Sequence, residues 1–376
     1  MKYLQEVTDL AVSAESILAG RCFLCGGLPS TGDGEHVIAR WLQRAYDLYD
    51  ESLTLLNGTL IRYRQLTVPC CVDCNTGYLS GLETRVQAII SKGEVSTPDE
   101  ASEIGRWMAK ILVGILVKET GLFLDRSTPA LGKIAPADVL EDFRHCHLVL
   151  QSGRKRMRFE GLHGPHPFSF YWYRVSGEEG GFDLSTNLVG QSIAMRVGRL
   201  GMAFVNDGGL QMEAGVKGPF GLNGATVSPT QFSELAARIH YKGALRNATH
   251  FYINAESPEE LSMAQVSVRP FSGLLPSWEI QLFDDWNDAD FGPFAEILTG
   301  IPRAVFFDET TGVPGTCLGN LLAKDLLGDD PGKLVQQTVP RPSRASGTRK
   351  RPGDPSKANS QVSRRPSGPK RSTGKA

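Results

Sequence analysis

The chain has 376 residues, 41% of them apolar and 22% charged, with a net charge of −1. These values exclude a chain dominated by membrane spans, a small disulfide scaffold and a wholly disordered polymer. The charge is unevenly spread: residues 341–376 carry eleven Lys/Arg against one acid, Asp354, so this segment stands at +10 and the remainder at −11. An acidic body with a basic tail points to an anionic partner.

Leu4, Val7, Leu10, Ala11, Ala14, Ile17 and Leu18 recur at helical spacing and predict an amphipathic helix over residues 1–19. Glu6, Asp9 and Glu15 lie inside that stretch and argue against a signal peptide. Residues 20–92 hold the Cys/His region. Within it, Arg40 to Asp50 is a short helix candidate with Trp41, Ala45, Leu48 and Tyr49 on one side. Leu53 to Val68 is a hairpin candidate, because Asn57-Gly58 favours the positive backbone angles of a type I′ turn. Tyr78, Leu79, Leu82 and Val86 suggest a helix after Asn75.

Ala101 to Thr120 predicts a helix with Ile104, Trp107, Met108, Ile111, Leu112, Ile115 and Leu116 as its buried stripe. Its most apolar run, Met108 to Val117, is interrupted by Lys110 and is too short to cross a bilayer. The expectation is a cytoplasmic protein with no membrane contact. Strand signals then dominate from Cys146 to Asp308: His147–Gln151, His166–Val175, Gln191–Val197, Met202–Asn206, His250–Asn254, Gln265–Pro270, Trp278–Phe283 and Ala304–Phe307. One helix interrupts them, Thr230 to Tyr241, with Ser228 as N-cap, Pro229 at the first helical position and Gln231 placed for a capping box. A last helix is expected over Leu318 to Leu327.

The fold class is α+β. The predicted organisation is a small zinc-stabilised module at 1–95 with its N-terminal helix, a connecting helix at 96–135, a larger, mostly antiparallel β-rich domain at 136–333 and a basic tail at 334–376. The tail is too poor in apolar residues to offset its ordering entropy and is expected to be disordered.

The most specific feature is a pair of Cys-x-x-Cys knuckles, Cys22-Phe-Leu-Cys25 and Cys71-Val-Asp-Cys74. Four thiolates from two tight turns suit one tetrahedral zinc ion and close its shell, so the ion is structural. Cys70 offers an alternative register, but Cys71 preserves the two-residue gap. A redox Cys-x-x-Cys needs only one copy, and two facing copies match a metal better. Between the knuckles lies Glu35-His36, and Asn75 follows the second directly.

That order, Cys-x-x-Cys, an acid followed by His, then Cys-x-x-Cys-Asn, resembles the zinc-containing branch of the HNH endonucleases, the treble-clef-like ββα-metal nucleases. The resemblance covers residues 20–90. It implies that His36 is the general base and that Glu35 and Asn75 hold one divalent cation, magnesium or a similar ion, on a scissile phosphate of DNA, or alternatively of RNA. The chemistry of the residues agrees: imidazole accepts a proton near neutral pH, and a hard cation is content with one carboxylate, one amide oxygen and water. The family usually carries Asp where Glu35 stands. Its middle residue, which orients the catalytic His, has Gln65 as the nearest counterpart here, with Asn57 as the other option and one that its turn context explains. Glu83, eight residues beyond Asn75, reads as structural. The competing reading is a noncatalytic, zinc-dependent nucleic-acid-binding protein.

Weaker signals have plain alternatives. His145 and His147 flank Cys146 on an expected strand and suggest a second metal site or, more simply, a sheet edge. Phe168, Phe170 and Trp172 alternate with Tyr171 and Tyr173, as a base-stacking surface or as a sandwich core would. Arg154, Lys155, Arg156 and Arg158 could meet phosphates or form a solvated turn.

Overall fold

Residues 98–121 set the architecture, because their apolar positions leave almost no polar face. In the computed structural model, which describes residues 12–319 and 335–336 apart from 31, 33, 156, 161–163, 178–180, 215–218, 248, 257–260 and 269–282, they form one helix, Pro98–Gly121. Its start is encoded locally: the Thr97 side chain accepts from the Glu100 amide, and Pro98 fills the first turn. Most of the N-terminal helix, the strand over 278–282, the last helix beyond residue 319 and the basic tail fall outside the described residues.

The elements around it are, in chain order, helix α1 (Ala14–Leu18), strand β1 (Glu35–His36), helix α2 (Arg40–Ala45), strands β2 (Ser52–Thr54), β3 (Leu60–Arg62) and β4 (Thr67–Val68), a π-helical segment (Asp73–Leu79) that continues into α3 (Ser80–Lys92), and then the long helix itself, α4. Beyond α4 come α5 (Arg144–Gln151), β5 (Met157–Glu160), β6 (Ser169–Val175), β7 (Phe182–Asn187), β8 (Ser192–Val197), β9 (Leu200–Val205), β10 (Thr226–Val227), α6 (Pro229–Ala244), β11 (Thr249–Glu256), β12 (Leu261–Val268), α7 (Asp288–Thr299), β13 (Phe307–Asp308) and β14 (Val313–Thr316).

The fold is mixed helix and strand. Its largest sheet has five strands in the order β10-β6-β9-β8-β7, antiparallel except for the β10–β6 pair. Both faces of this sheet are covered. Phe170, Ile193, Met195, Met202 and Phe204 join Ile104, Trp107 and Met108 of α4 in one core. Tyr171, Tyr173, Ala194, Ala203 and Val205 pack with Phe232, Leu235 and Ile239 of α6 on the other side. The alternating aromatics of β6 are therefore core on both faces. Ser228 and Gln231 close a reciprocal capping box on α6, as expected from their spacing.

The first core extends without interruption from Ile17 through the knuckle residues Phe23 and Leu24 and the α4 stripe to Phe204. It passes through both predicted boundaries, at 95 and 135, so the cysteine region and the sheet share one interior.

Several local expectations change. Arg144–Gln151 is a helix and not a strand. Phe143, Cys146, Val149 and Leu150 are buried at helical spacing, which a five-residue window beginning at His147 cannot reveal. Asp288–Thr299 is a helix that the strand-dominated reading passed over; Asn287 caps its start, Gly300 at φ 67° ends it, and Pro293 inside it masks the pattern. Helix α2 stops at Ala45, short of Asp50, with Asp47 at φ 53°; its buried residues are Leu42 and Gln43, whereas Ala45 and Tyr49 are exposed. The β2–β3 hairpin forms, but only Gly58 of its Asn57-Gly58 pair has positive φ, at 78°, and the Leu55 amide meets the Thr59 carbonyl across a wider loop than a two-residue type I′ turn.

Two buried imidazoles make the fold sensitive to acid. Burial pushes His147 down to about 4 and His240 down to about 3. Both are held neutral in the folded chain, so the stability they confer is complete above the ordinary histidine value near 6.5 and is lost as pH falls from there toward 4. Denaturant unfolding should show stability falling by up to about 1.4 kcal/mol per pH unit for each histidine across that window. His240→Asn should flatten the profile; an unchanged slope would show that His240 is not held neutral.

Candidate functional site

The site is assembled from three short pieces of chain that carry little structure of their own. The first knuckle, the ribbon of β1 on β4, and the start of the π-helical segment meet beside α4. Backbone bonds join the knuckles directly: Phe23 donates to the Pro69 carbonyl at 2.9 Å and Ser30 to the Cys70 carbonyl at 2.9 Å. Helix α5 supports the first knuckle from behind, with His147 Nε2 at 3.0 Å from the Phe23 carbonyl and Gln151 Nε2 on the Leu24 carbonyl. His147 is thus a brace for the cysteine turn. Cys146 is buried and His145 stands on the helix beside it, so the strand-edge geometry that suggested a second metal site is absent.

The Sγ atoms of Cys22, Cys25, Cys71 and Cys74 all lie within 4.8 Å of one another. A tetrahedral ion with Zn–S bonds of about 2.3 Å places its sulfurs about 3.8 Å apart, and Cys25 and Cys71 are 3.6 Å apart already. These four thiols could hold one metal ion such as zinc. Cys71 and not Cys70 completes the group. Cys70 is fully buried behind it, 3.9 Å from Cys22, and its hydrogen bond is the largest influence bringing the Cys22 thiol down to about 4. Burial pushes Cys74 well up, and also raises Cys25.

Strand β1 pairs with β4 in the register Glu35↔Val68 and His36↔Thr67. Gly34 must precede it, since φ is +75° there and a Cβ would strike the Val68 carbonyl. Asn75 lies in the π-helical segment one residue past Cys74. Its Nδ2 donates to the Gly34 carbonyl at 3.4 Å, which leaves Oδ1 as the end of the amide able to accept or to ligate. Gly34, Glu35, His36, Arg40, Trp41, Asn75, Ser80, Glu83, Thr84 and Gln87 line one open cleft of about 360 Å³. The cleft brings Glu35, His36 and Asn75 together.

Two further residues belong here that the sequence did not single out for it. Glu83, read as structural from its distance along the helix, lines the same cleft. Lys110, noted only as a break in an apolar run, is 1% exposed beneath it. The Lys110 Nζ donates to Glu35 Oε1 at 2.6 Å, the His36 carbonyl at 2.6 Å, Glu83 Oε1 at 3.0 Å and the Val37 carbonyl at 3.2 Å. Burial alone would discharge this amine, but the two carboxylates outweigh it and its pKa rises above the ordinary lysine value. The signal for Lys110 was its position: a charge inside an otherwise buried stripe needs a partner.

His36 Nδ1 accepts from Arg40 Nε at 3.3 Å, which requires a lone pair on Nδ1. Gln65 ends the turn Tyr63–Gln65 and lines a second cleft of about 530 Å³ that shares His36 and Arg40 with the first. Asn57 lies away from both clefts. It serves the hairpin, accepting from the Thr59 amide at 3.1 Å and donating to the Leu124 carbonyl at 2.8 Å.

No model of a protein family matches the chain, nor does any curated protein or solved structure. Among the described residues, no helix is long and apolar enough to cross a membrane.

Lys110→Met removes the cation that pairs with two largely buried carboxylates, Glu35 and Glu83. Loss of one partner from a buried ion pair costs about 3–5 kcal/mol, and urea unfolding should show a loss of that size. Adding Glu83→Gln should recover part of it. A Lys110→Met protein as stable as the parent would mean that the four contacts do not form in solution.

Proposed function

We propose that the chain is a metal-dependent HNH-type endonuclease that hydrolyses phosphodiester bonds of DNA, with zinc on Cys22, Cys25, Cys71 and Cys74 as its structural ion. One observation carries this reading: a two-residue ribbon bearing Glu35 and His36, followed by a helical segment bearing Asn75, with all three residues on one open cleft beside the four-cysteine cluster. That order of ribbon and helical segment supports the ββα reading that the sequence resemblance implies.

The donor set suits a hard divalent cation. Glu35 and Glu83 bring carboxylate oxygens beside the Asn75 amide oxygen, and Lys110 and Arg40 balance their two negative charges. Glu35, Asn75 and, through its place in the cleft, Glu83 would hold magnesium or a similar ion with several of its waters. Such an ion supplies charge neutralisation at the phosphate oxygens. His36 Nδ1 is the base: its lone pair is the one now facing Arg40, and a water entering between them would give up its proton to that nitrogen as its oxygen attacks phosphorus and the bridging P–O bond breaks, the departing sugar oxygen taking a proton from solvent. Arg40, on the same wall, is placed to meet a phosphate oxygen. The thiolate cluster fixes the knuckles, and through them the ribbon and the Asn75 turn, with the rigidity catalysis requires.

The burial of Glu35, only 6% exposed and already bound to Lys110, favours the second reading, a noncatalytic zinc-dependent nucleic-acid-binding protein. Plasmid nicking separates the two. The parent should nick DNA with magnesium and not with EDTA, and His36→Ala and Asn75→Ala should lose nicking by at least about 10²-fold while keeping zinc and fold, the scale of a lost general base. If the parent is inert under magnesium, manganese and zinc alike yet still retains DNA, the binding reading replaces this one.

The metal assignment has its own test. Elemental analysis should find one zinc per chain, and Cys74→Ala should lose it and unfold the cysteine region, since binding energy at such sites is folding energy. The raised Cys25 and Cys74 thiols must shed protons on binding, so zinc affinity should rise with pH through the neutral range. A stable, metal-free Cys74→Ala protein would remove zinc from the account.

A further inference from the structure

We propose that the second cleft, which shares His36 and Arg40 with the first, is a phosphate track that seats the polynucleotide backbone next to the cleavage point. The inference rests on the nuclease reading of the first cleft and extends it to a surface that reading does not use. The track is lined by Arg40, Arg44 and Arg64 together with Tyr49, Gln65 and His36, and no carboxylate lines it. Arg40 and Arg44 are exposed, and among the described residues no carboxylate pairs with either. Arg64 stands 4.9 Å from the Tyr49 ring centroid and bonds Asp50, an exposed acid outside the cleft wall.

Outside residues 341–376 the chain carries a charge of −11. Three guanidinium groups gathered on one concavity of such a body repel one another and are offset by one exposed acid, an arrangement that fits a polyanionic ligand. The position identifies the polyanion. His36 and Arg40 line both clefts, so a phosphodiester seated against Glu35, His36 and Asn75 has its chain neighbours at the arginines. Successive phosphates of a strand advance only about 3.4 Å along a duplex, so the flanking linkages fall within a cleft of this size. Guanidinium contacts to phosphate carry no base identity, and the half-exposed Tyr49 ring offers a flat face to sugar or base. The track belongs to the segment between β1 and β4, whose α2 helix carries Arg40 and Arg44 and whose turn before β4 carries Arg64. It should hold a strand of any sequence.

The test uses the full chain, so that the basic tail contributes equally to every protein compared. Affinity for a fluorescent 20-base-pair duplex is measured in EDTA over a salt series. Arg44→Gln/Arg64→Gln should weaken binding to unrelated sequences alike and make the slope of log K against log salt shallower by about 1.8, two phosphate contacts at about 0.9 each. Arg44→Gln alone, at an exposed side chain, should give about half that change. The pair Arg44→Lys/Arg64→Lys, which keeps the charge, should retain most of the slope. An unchanged slope in the Gln variants, or an equal loss in the Gln and Lys pairs, overturns the track. Nicking under magnesium is read separately. A parent that binds with this slope and never nicks keeps the track and loses the nuclease, whereas one that nicks while its Gln variants keep the parental slope keeps the nuclease and loses the track.

Discussion

The arrangement of the site depends on one buried ammonium. Lys110 reaches from the long helix into the seam between β1 and α3 and offers three N–H donors to four acceptors, two carboxylates and two backbone carbonyls. An isolated ammonium in that position would lose several kcal/mol of hydration with little return. It persists because the carboxylates lie within 3.0 Å and the strand carbonyls take up its remaining donors. The same contacts fix the strand. A ribbon of two residues against two has almost no stability of its own, and the helix grips both halves through their backbones: Lys110 holds the carbonyls of His36 and Val37, and Lys118 holds that of Thr67 at 3.2 Å. Gly114, between the two lysines on α4, permits this approach, since a Cβ there would press on Val37 Cγ2 at 2.8 Å.

It follows that the cysteine region is not an appendage. Its positioning helix is the same α4 that covers one face of the five-stranded sheet. The first knuckle receives His147 and Gln151 from α5, which follows α4 in the chain and packs on it. The thiol cluster therefore fixes the ribbon from one end, while the body fixes it from the side through α4 and α5. Thiolate ligation alone would leave Glu35 and His36 free to pivot about the knuckles; the two lysines remove that freedom. The sheet-bearing part of the chain contributes to the site through rigidity, even though none of its strands enters either cleft.

How much of this was legible follows from which interactions are local. The knuckles, the Glu35-His36 pair and Asn75 were readable because their spacing along the chain is a local signal, and the structure brings Cys22, Cys25, Cys71 and Cys74 within 4.8 Å and the side chains of Glu35, His36 and Asn75 onto one cleft. The caps at Thr97 and Ser228 were readable for the same reason. Lys110 was visible only as an anomaly, since its partners at 35 and 83 are distant in sequence and nothing in a window around it names them. Glu83 was set aside because axial distance along an ideal helix ignores the cation that draws it toward the cleft. Helix α5 was misread because a short run that is buried on nearly every side has no clear period. Arg40, Arg44 and Arg64 went unremarked because two lie on one short helix and the third on a separate turn, and only the fold gathers them.

The two clefts divide the electrostatic work across a single ring. In the first cleft the Glu35 and Glu83 carboxylates are balanced by Lys110 and Arg40, so a bound divalent cation would add the positive charge that a phosphate needs there. In the second cleft the arginines attract phosphate and repel a cation. On the proposed nuclease reading a phosphodiester chain would lie across both clefts, with one linkage at a cation in the first and its neighbours among the guanidinium groups of the second. His36 lines both clefts, and its Nδ1 lone pair faces Arg40 at 3.3 Å. On that reading a small anion would gain from one cleft only, whereas an extended one would gain from both. On the proposed nuclease reading Lys110 has a second use: with both carboxylates uncompensated, the repulsion felt by a phosphodiester in the first cleft would oppose the attraction that the arginines would provide beside it.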